Sequence, residues 1–173
     1  MQDRTNSGFE VFCLDEAHFI VRPYLVRGWF LKGSKPIIET IYTRERVSVF
    51  GALSENELSF KTTEDKCNYQ TYLKFLKSLL EKHEKILLVV DGAKYHFEKE
   101  HVQKFYKENE SCLKVMQLPP YSPELNPIEQ VWKETKKWLA ITPWGNKEEF
   151  KLKLTEGLNN PEFRIKMFDY YLR

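Results

Sequence analysis

Ile86-Leu87-Leu88-Val89-Val90-Asp91-Gly92 decides the architecture. Five consecutive aliphatic residues stop at an acid and a glycine. So short an apolar run predicts a strand buried on both faces, as in the middle of a parallel or mixed sheet. Outward from it, Val11-Phe12-Cys13-Leu14 is a second such run, expected to stop at Asp15-Glu16. Between the two, residues 46–54 and 57–63 predict a hairpin around Ser54-Glu55-Asn56. Residues 29–40 read as extended or looped, with Gly33-Ser34-Lys35-Pro36 as a turn. Residues 67–83 place Tyr69, Tyr72, Leu73, Leu76, Leu79 and Leu80 on one helical stripe.

Beyond Asp91, a shorter helix is predicted over 99–109, with Val102, Phe105 and Tyr106 inward, and a strand over 113–118. Pro119, Pro120, Pro123 and Pro127 then mark the clearest irregular segment. A helix begins near Asn126, carried by Ile128, Val131, Trp132, Thr135 and Leu139, and breaks at Pro143-Trp144-Gly145. Residues 147 to the end predict one or two terminal helices. The order strand, hairpin, helix, strand, helix, strand, helix argues an α/β structure with a mixed sheet. We expect one domain over 1–145 and a helical extension over 146–173 packed on it.

At 173 residues the chain is long enough to bury a core without staples. Its 27 basic and 25 acidic residues nearly cancel, so attraction to nucleic acid must come from local placement of charge. Three scattered cysteines form no framework and no zinc pattern, which predicts a reducing compartment. Such a compartment would include the cytoplasm of a prokaryote and the nucleus of a eukaryote. The longest aliphatic run, residues 86–90, is far short of the roughly 20 residues that span a bilayer, so no membrane partner is expected.

Asp15 and Asp91 are both expected at strand ends. If those strands are parallel neighbours, about 4.8 Å apart, both carboxylates face one crevice outside the sheet. Like charges that close stay ionised only around a cation, and oxygen donors suit Mg²⁺ or Mn²⁺. Glu129, at the start of the helix after the prolines, is the candidate third ligand of a two-metal site. Plainer roles compete. An Asp after a strand is commonly a turn or cap residue. Asn126-Pro127-Ile128-Glu129 also reads as N-cap, proline at N1 and a capping-box Glu at N3.

Three strings carry a family resemblance. PPYSPELNPIEQVW (119–132) resembles the third-carboxylate motif of DDE transposases of the IS630/Tc1/mariner superfamily. LLVVDGAKYH (87–96) is similar to its second-Asp motif, and FCLDEAHF (12–19), followed by RGWFLKGSKP, to its first. The resemblance covers about residues 8 to 140. It implies an RNase H-like fold and a catalytic domain for divalent-metal-dependent DNA cleavage and strand transfer. It implies Asp15, Asp91 and Glu129 as the catalytic triad, with two ions, Mg²⁺ or Mn²⁺, the first Asp touching both. It further implies double-stranded DNA as partner, both transposon ends and a TA-containing target, and a homodimer or larger assembly.

Two departures are visible. Asp91 and Glu129 have 37 residues between them, longer than the family's commonest spacing, and Gly92 stands where the family often has Asn. Members usually carry helix-turn-helix domains ahead of the first Asp, so the expectation is a catalytic half with a separate amino-terminal DNA-binding half. An RNase H-like nuclease that only hydrolyses, and an inactive remnant, are the alternatives.

Further candidates surround the three acids. His96 could orient a carboxylate, contact phosphate or position water. Glu16 and His18 flank Asp15 and could hold ligands in place. Asn126 could cap its helix or touch the site. Arg22, Arg27, Lys32 and Lys35, and Lys133, Lys136 and Lys137 beside Glu129, could track a DNA backbone. Trp132 and Trp138 read as core.

Overall fold

The computed structural model describes residues 8–25, 27–64 and 66–163. Five strands form one sheet in the order β3-β2-β1-β4-β5. Their bounds are β1 Glu10–Ile20, β2 Arg46–Leu53, β3 Leu58–Thr63, β4 Ile86–Val90 and β5 Leu113–Gln117. β1, β2 and β3 pair antiparallel, whereas β1–β4 and β4–β5 are parallel. The sheet is therefore mixed, and β4 is buried at all five residues, as its aliphatic run predicts.

The parallel step from β3 to β4 needs a crossover, supplied by α1, Tyr69–Leu80. Asn68 starts it, its side chain accepting from the Gln70 and Thr71 amides while the Thr71 hydroxyl accepts from the Asn68 amide. The buried stripe is Tyr72, Phe75, Leu76 and Leu79. Phe75 replaces the predicted Leu73 and Leu80, which are only partly buried. Two helices follow β4: a single turn, α2, Lys94–Phe97, which no periodicity announces, and α3, Glu100–Glu108. After β5 come a 3-10 turn at Pro123–Leu125, then α4, Ile128–Ile141, and α5, Lys147–Asn159. Residues 164–173, where the last part of the terminal helices was expected, lie outside the described residues.

The sheet has two covered faces. Phe12, Leu14, Phe50, Ala52, Leu88 and Val90 pack against α1 and α3. Ala17, Phe19, Val47 and Val49 pack against Ile128, Val131, Trp132 and Leu139 of α4 and Phe150, Leu154 and Leu158 of α5. The segment after β1 is irregular, as expected. Its turn falls earlier than predicted, closing from the Leu31 carbonyl to the Ser34 amide with Gly33 at φ +85°.

One expectation is overturned. β1 does not stop at Asp15-Glu16 but continues to Ile20, pairing with β2 throughout. Ala17 and Phe19 resume the inward pattern, so the two acids interrupt an apolar strand without ending it.

Gly51, opposite Asp15 on β2, makes the α4 packing possible. A Cβ there would lie 2.4 Å from the Trp132 ring and 2.9 Å from Ile128 Cδ1. Gly51→Ala is therefore expected to destabilise the fold by about 1–3 kcal/mol through overpacking, read as a lower denaturation midpoint in urea. An unchanged midpoint would mean that α4 shifts at no cost.

Candidate active site

The β1–β4 ladder pairs Cys13 with Val89. Carried two residues further, the same register sets Asp15 beside Asp91, on one face of the sheet. Asp15 remains within β1, whereas Asp91 lies just past β4 and accepts the Ala93 amide at 3.1 Å. The proline segment after β5 turns the chain back, and Glu129 stands in the first turn of α4. All three acids line one cleft of about 490 Å³, with Gly92, Gln117, Tyr121 and Asn126 among its other walls.

Asp15 is the most perturbed of the three. Burial is the main cause, the Trp132 indole N–H opposes it at 2.8 Å, and the nearby charges of Glu129 and Glu16 push the same way as burial. The result is a carboxyl pushed up to about 7. Trp132, read from sequence as core, is indeed buried, but it also donates into the site. Periodicity finds its burial and cannot find its donor role.

Glu129 does not serve as a capping-box acid. The N-cap position is Pro127, no side chain caps this helix, and the Glu129 amide donates to the Asn126 carbonyl at 3.1 Å. Asn126 does not cap either. It is 3% exposed, and its amide nitrogen points to the Leu14 carbonyl at 3.5 Å. Among the described residues its Oδ1 has no hydrogen-bond partner, although Asn126 lines the cleft. An orphaned buried acceptor is rare and points to a group that arrives later.

His96, on α2, lies fully buried behind Asp91. Its Nδ1 is 3.1 Å from Asp91 Oδ1 and its Nε2 3.2 Å from Glu16 Oε1. Burial pulls the imidazole pKa down, but hydrogen bonds and charge from Asp91 and Glu16 outweigh it and raise it to about 9. In turn, the His96 hydrogen bond lowers the Asp91 pKa, against burial and with help from the Ala93 amide. His18 stands apart from this set: it bonds Ser48 across β1–β2 at 2.9 Å and does not line the cleft.

Among the described residues, no three His, Cys, Asp or Glu side chains are gathered tightly enough to hold one ion as they stand. The chemistry of the donors nonetheless fits a hard cation. Three carboxylates share the cleft, the most buried of them is raised partly by its neighbours' charge, and the Asn126 oxygen is unsatisfied. Asp15, Asp91 and Glu129 are the residues that could hold it.

A second groove of about 690 Å³ adjoins the first, sharing Pro123 and Glu129 with it. Lys133, Lys136 and Lys137 line it, facing Tyr24 and Leu25. Lys137 pairs with Glu134 at 2.7 Å, while the Lys136 ammonium sits 5.9 Å from the Phe19 ring centre. Arg22, Arg27, Lys32 and Lys35 are exposed along the segment after β1. At the cleft rim, Tyr121 is fully exposed and holds a left-handed backbone, φ 56°. Such backbone strain clusters at functional sites. Gln117 and Tyr121 are not among the candidates, because neither is an acid, histidine or base of the kind the sequence reading singles out.

Residues 10–151 match the family described as DDE superfamily endonuclease. A protein of Shigella sonnei described as "Insertion element IS630 uncharacterized 39 kDa protein" is 27% identical over 134 residues, covering 75% of this chain and 38% of that one. The fold is similar to that of the Mos1 strand transfer complex, with a TM-score of 0.69 at 14% identity over 98% of this chain and 53% of the other. It is also similar to the catalytic core domain of BIV integrase, with a TM-score of 0.53 at 10% identity, covering 86% of this chain and 80% of that core. These likenesses and the mixed sheet give an RNase H-like fold. The chain spans 38% of the length of its insertion-element relative and about half of the Mos1 chain. With four-fifths of its length inside the matched region, the chain belongs to the DDE superfamily of endonucleases.

Proposed function

We propose that this chain is the catalytic domain of a transposase that cleaves DNA strands and transfers their ends. The observation that carries this is the meeting of Asp15, Asp91 and Glu129, drawn from three distant segments, in one cleft. Their roles would be to hold divalent cations, Mg²⁺ or Mn²⁺, two of them by the family resemblance. Bound there, such ions supply charge stabilisation to the entering and leaving oxygens of a phosphodiester. Trp132 fixes the Asp15 carboxylate by its N–H, and Ala93 and His96 fix that of Asp91. Asn126 offers its unpaired oxygen to a water at the site. The Lys133, Lys136 and Lys137 groove, opening beside Glu129, takes the phosphate backbone by charge.

Hydrolysis at an element end frees a 3′-hydroxyl, which then attacks a target phosphodiester in line, without a covalent protein–DNA intermediate. A dimer or larger assembly would bring two ends together, with an amino-terminal DNA-binding half supplied separately. The mode of action places the chain wherever the host keeps its DNA.

The test mixes the purified chain with supercoiled plasmid and a labelled oligonucleotide bearing a free 3′-hydroxyl. Nicking that needs Mg²⁺ or Mn²⁺ and stops with EDTA is expected, together with labelled joined product. Nicking without joining would reduce the protein to a hydrolytic nuclease. Neither product, at any metal concentration, would favour an inactive remnant.

A further inference from the structure

We propose that Glu16 is a positioning residue for Asp91, acting through His96; this rests on the assignment of Asp91 as a metal-holding acid. Asp15 and Glu16 are consecutive on β1, so they project to opposite faces of the sheet. Asp15 enters the cleft, and Glu16 enters the opposite face, where its side chain is 10% exposed. The same face of β1 carries Phe12 and Leu14, fully buried against apolar helices. The pattern calls for another apolar residue at 16, and an acid there is costly unless paired.

Its partners are His96 and the Tyr95 hydroxyl, and the His96 ring is engaged at both nitrogens. Nε2 meets Glu16 Oε1 at 3.2 Å, while Nδ1 lies 3.1 Å from Asp91 Oδ1 and 3.5 Å from the Asp91 main-chain carbonyl. Only a ring donating from both nitrogens can satisfy two carboxylates at once. Tyr72 and Tyr95 hold it from the sides, with ring centres 4.5 and 4.4 Å away. The two rings pack the imidazole on its sides, and the Glu16 contact at Nε2 sets its direction between the two acids.

Asp91 needs this support more than Asp15 does. Asp15 is fixed by ladder pairing on β1 and by Trp132. Asp91 stands beyond the last ladder residue, half exposed, and among the described residues its carboxylate is oriented by the Ala93 amide and His96. Removal of Glu16 frees the ring to seek another acceptor, and Asp91 loses its fixed direction. Partners behind metal-holding side chains are typically worth about 10–100-fold in metal affinity.

The experiment titrates Mn²⁺ calorimetrically into the whole chain and into Glu16→Ala, Glu16→Gln and Asp91→Asn, with melting curves for each. Glu16→Ala is expected to weaken Mn²⁺ binding about tenfold and to lower kcat for DNA cleavage while KM for DNA stays put. Glu16→Gln keeps an acceptor for Nε2–H and should restore most of the affinity. Should Glu16→Ala melt below the assay temperature, Glu16→Met, which fills the volume without an acceptor, replaces it in the comparison. Mn²⁺ affinity within twofold of the parent in the acceptor-less variant would overturn the proposal, as would Gln binding no better than Ala or Met. If Asp91→Asn itself binds Mn²⁺ like the parent, the assignment of Asp91 fails. If Asp91→Asn loses Mn²⁺ and the Glu16 variants do not, only the role of Glu16 falls.

Discussion

Glu129→Gln and Asp91→Asn should each reduce Mg²⁺-dependent DNA cleavage by more than about a hundredfold, because each removes one of three charges meant for the cation. The two variants differ in what they do to the fold. Glu129 caps nothing, and its amide bond to the Asn126 carbonyl involves only backbone. Its side chain contributes at most the small favourable term of an acid at a helix N-terminus, about 0.3–1 kcal/mol. Glu129→Gln should therefore keep its melting temperature within a few degrees while losing activity. Asp91→Asn is less clean. It leaves His96 buried with one carboxylate in place of two, so some loss of stability accompanies the loss of activity. Cleavage at parental rates by Glu129→Gln would remove the third acid from the assignment.

Much of this site was legible in the sequence because strand burial and motif order are local signals. β4 could be read from five letters, and Asp91 follows it without ambiguity. β1 was harder: Asp15 and Glu16 look like an end, yet they lie mid-strand, each satisfied by a partner more than 75 residues away. No local rule anticipates an indole N–H arriving from α4. The first turn of α4 misled in the opposite sense. Asn126-Pro127-Ile128-Glu129 has the letters of a capping box, but the Asn126 amide is already bonded to the Pro123 carbonyl of the 3-10 turn, and its side chain turns toward β1. Gly51 is the reverse case, a residue without chemistry whose missing Cβ lets Trp132 approach Asp15. Long-range packing decides all three, and a single sequence encodes it only through residues that look unremarkable where they stand.

Asp15→Asn should abolish cleavage and at the same time stabilise the metal-free protein. Burial, with the charges of Glu129 and Glu16 behind it, sets the folded-state carboxyl at about 7 against an ordinary 3.8. The folded protein thus binds this proton more tightly than the unfolded chain does. The sign follows: the Asp15 contribution to stability is largest below about pH 4, declines as pH rises from about 4 to 7, and is fully lost above that. At 1.36 kcal/mol per unit, a shift of about three units puts the cost at pH 8 on the order of 4 kcal/mol. Asparagine carries no charge and still presents an oxygen to the Trp132 N–H, so it escapes that cost. Urea denaturation in EDTA should show parent and variant nearly equal at pH 4, with the variant pulling ahead toward pH 8. Added Mn²⁺ should stabilise the parent at pH 8 and leave the variant largely unmoved, closing the gap. A variant no more stable than the parent at pH 8 would mean that the buried charge costs the fold nothing. The destabilised carboxylate is what a cation-binding site requires before its ion arrives, since charges held together against their own repulsion give the incoming ion its affinity.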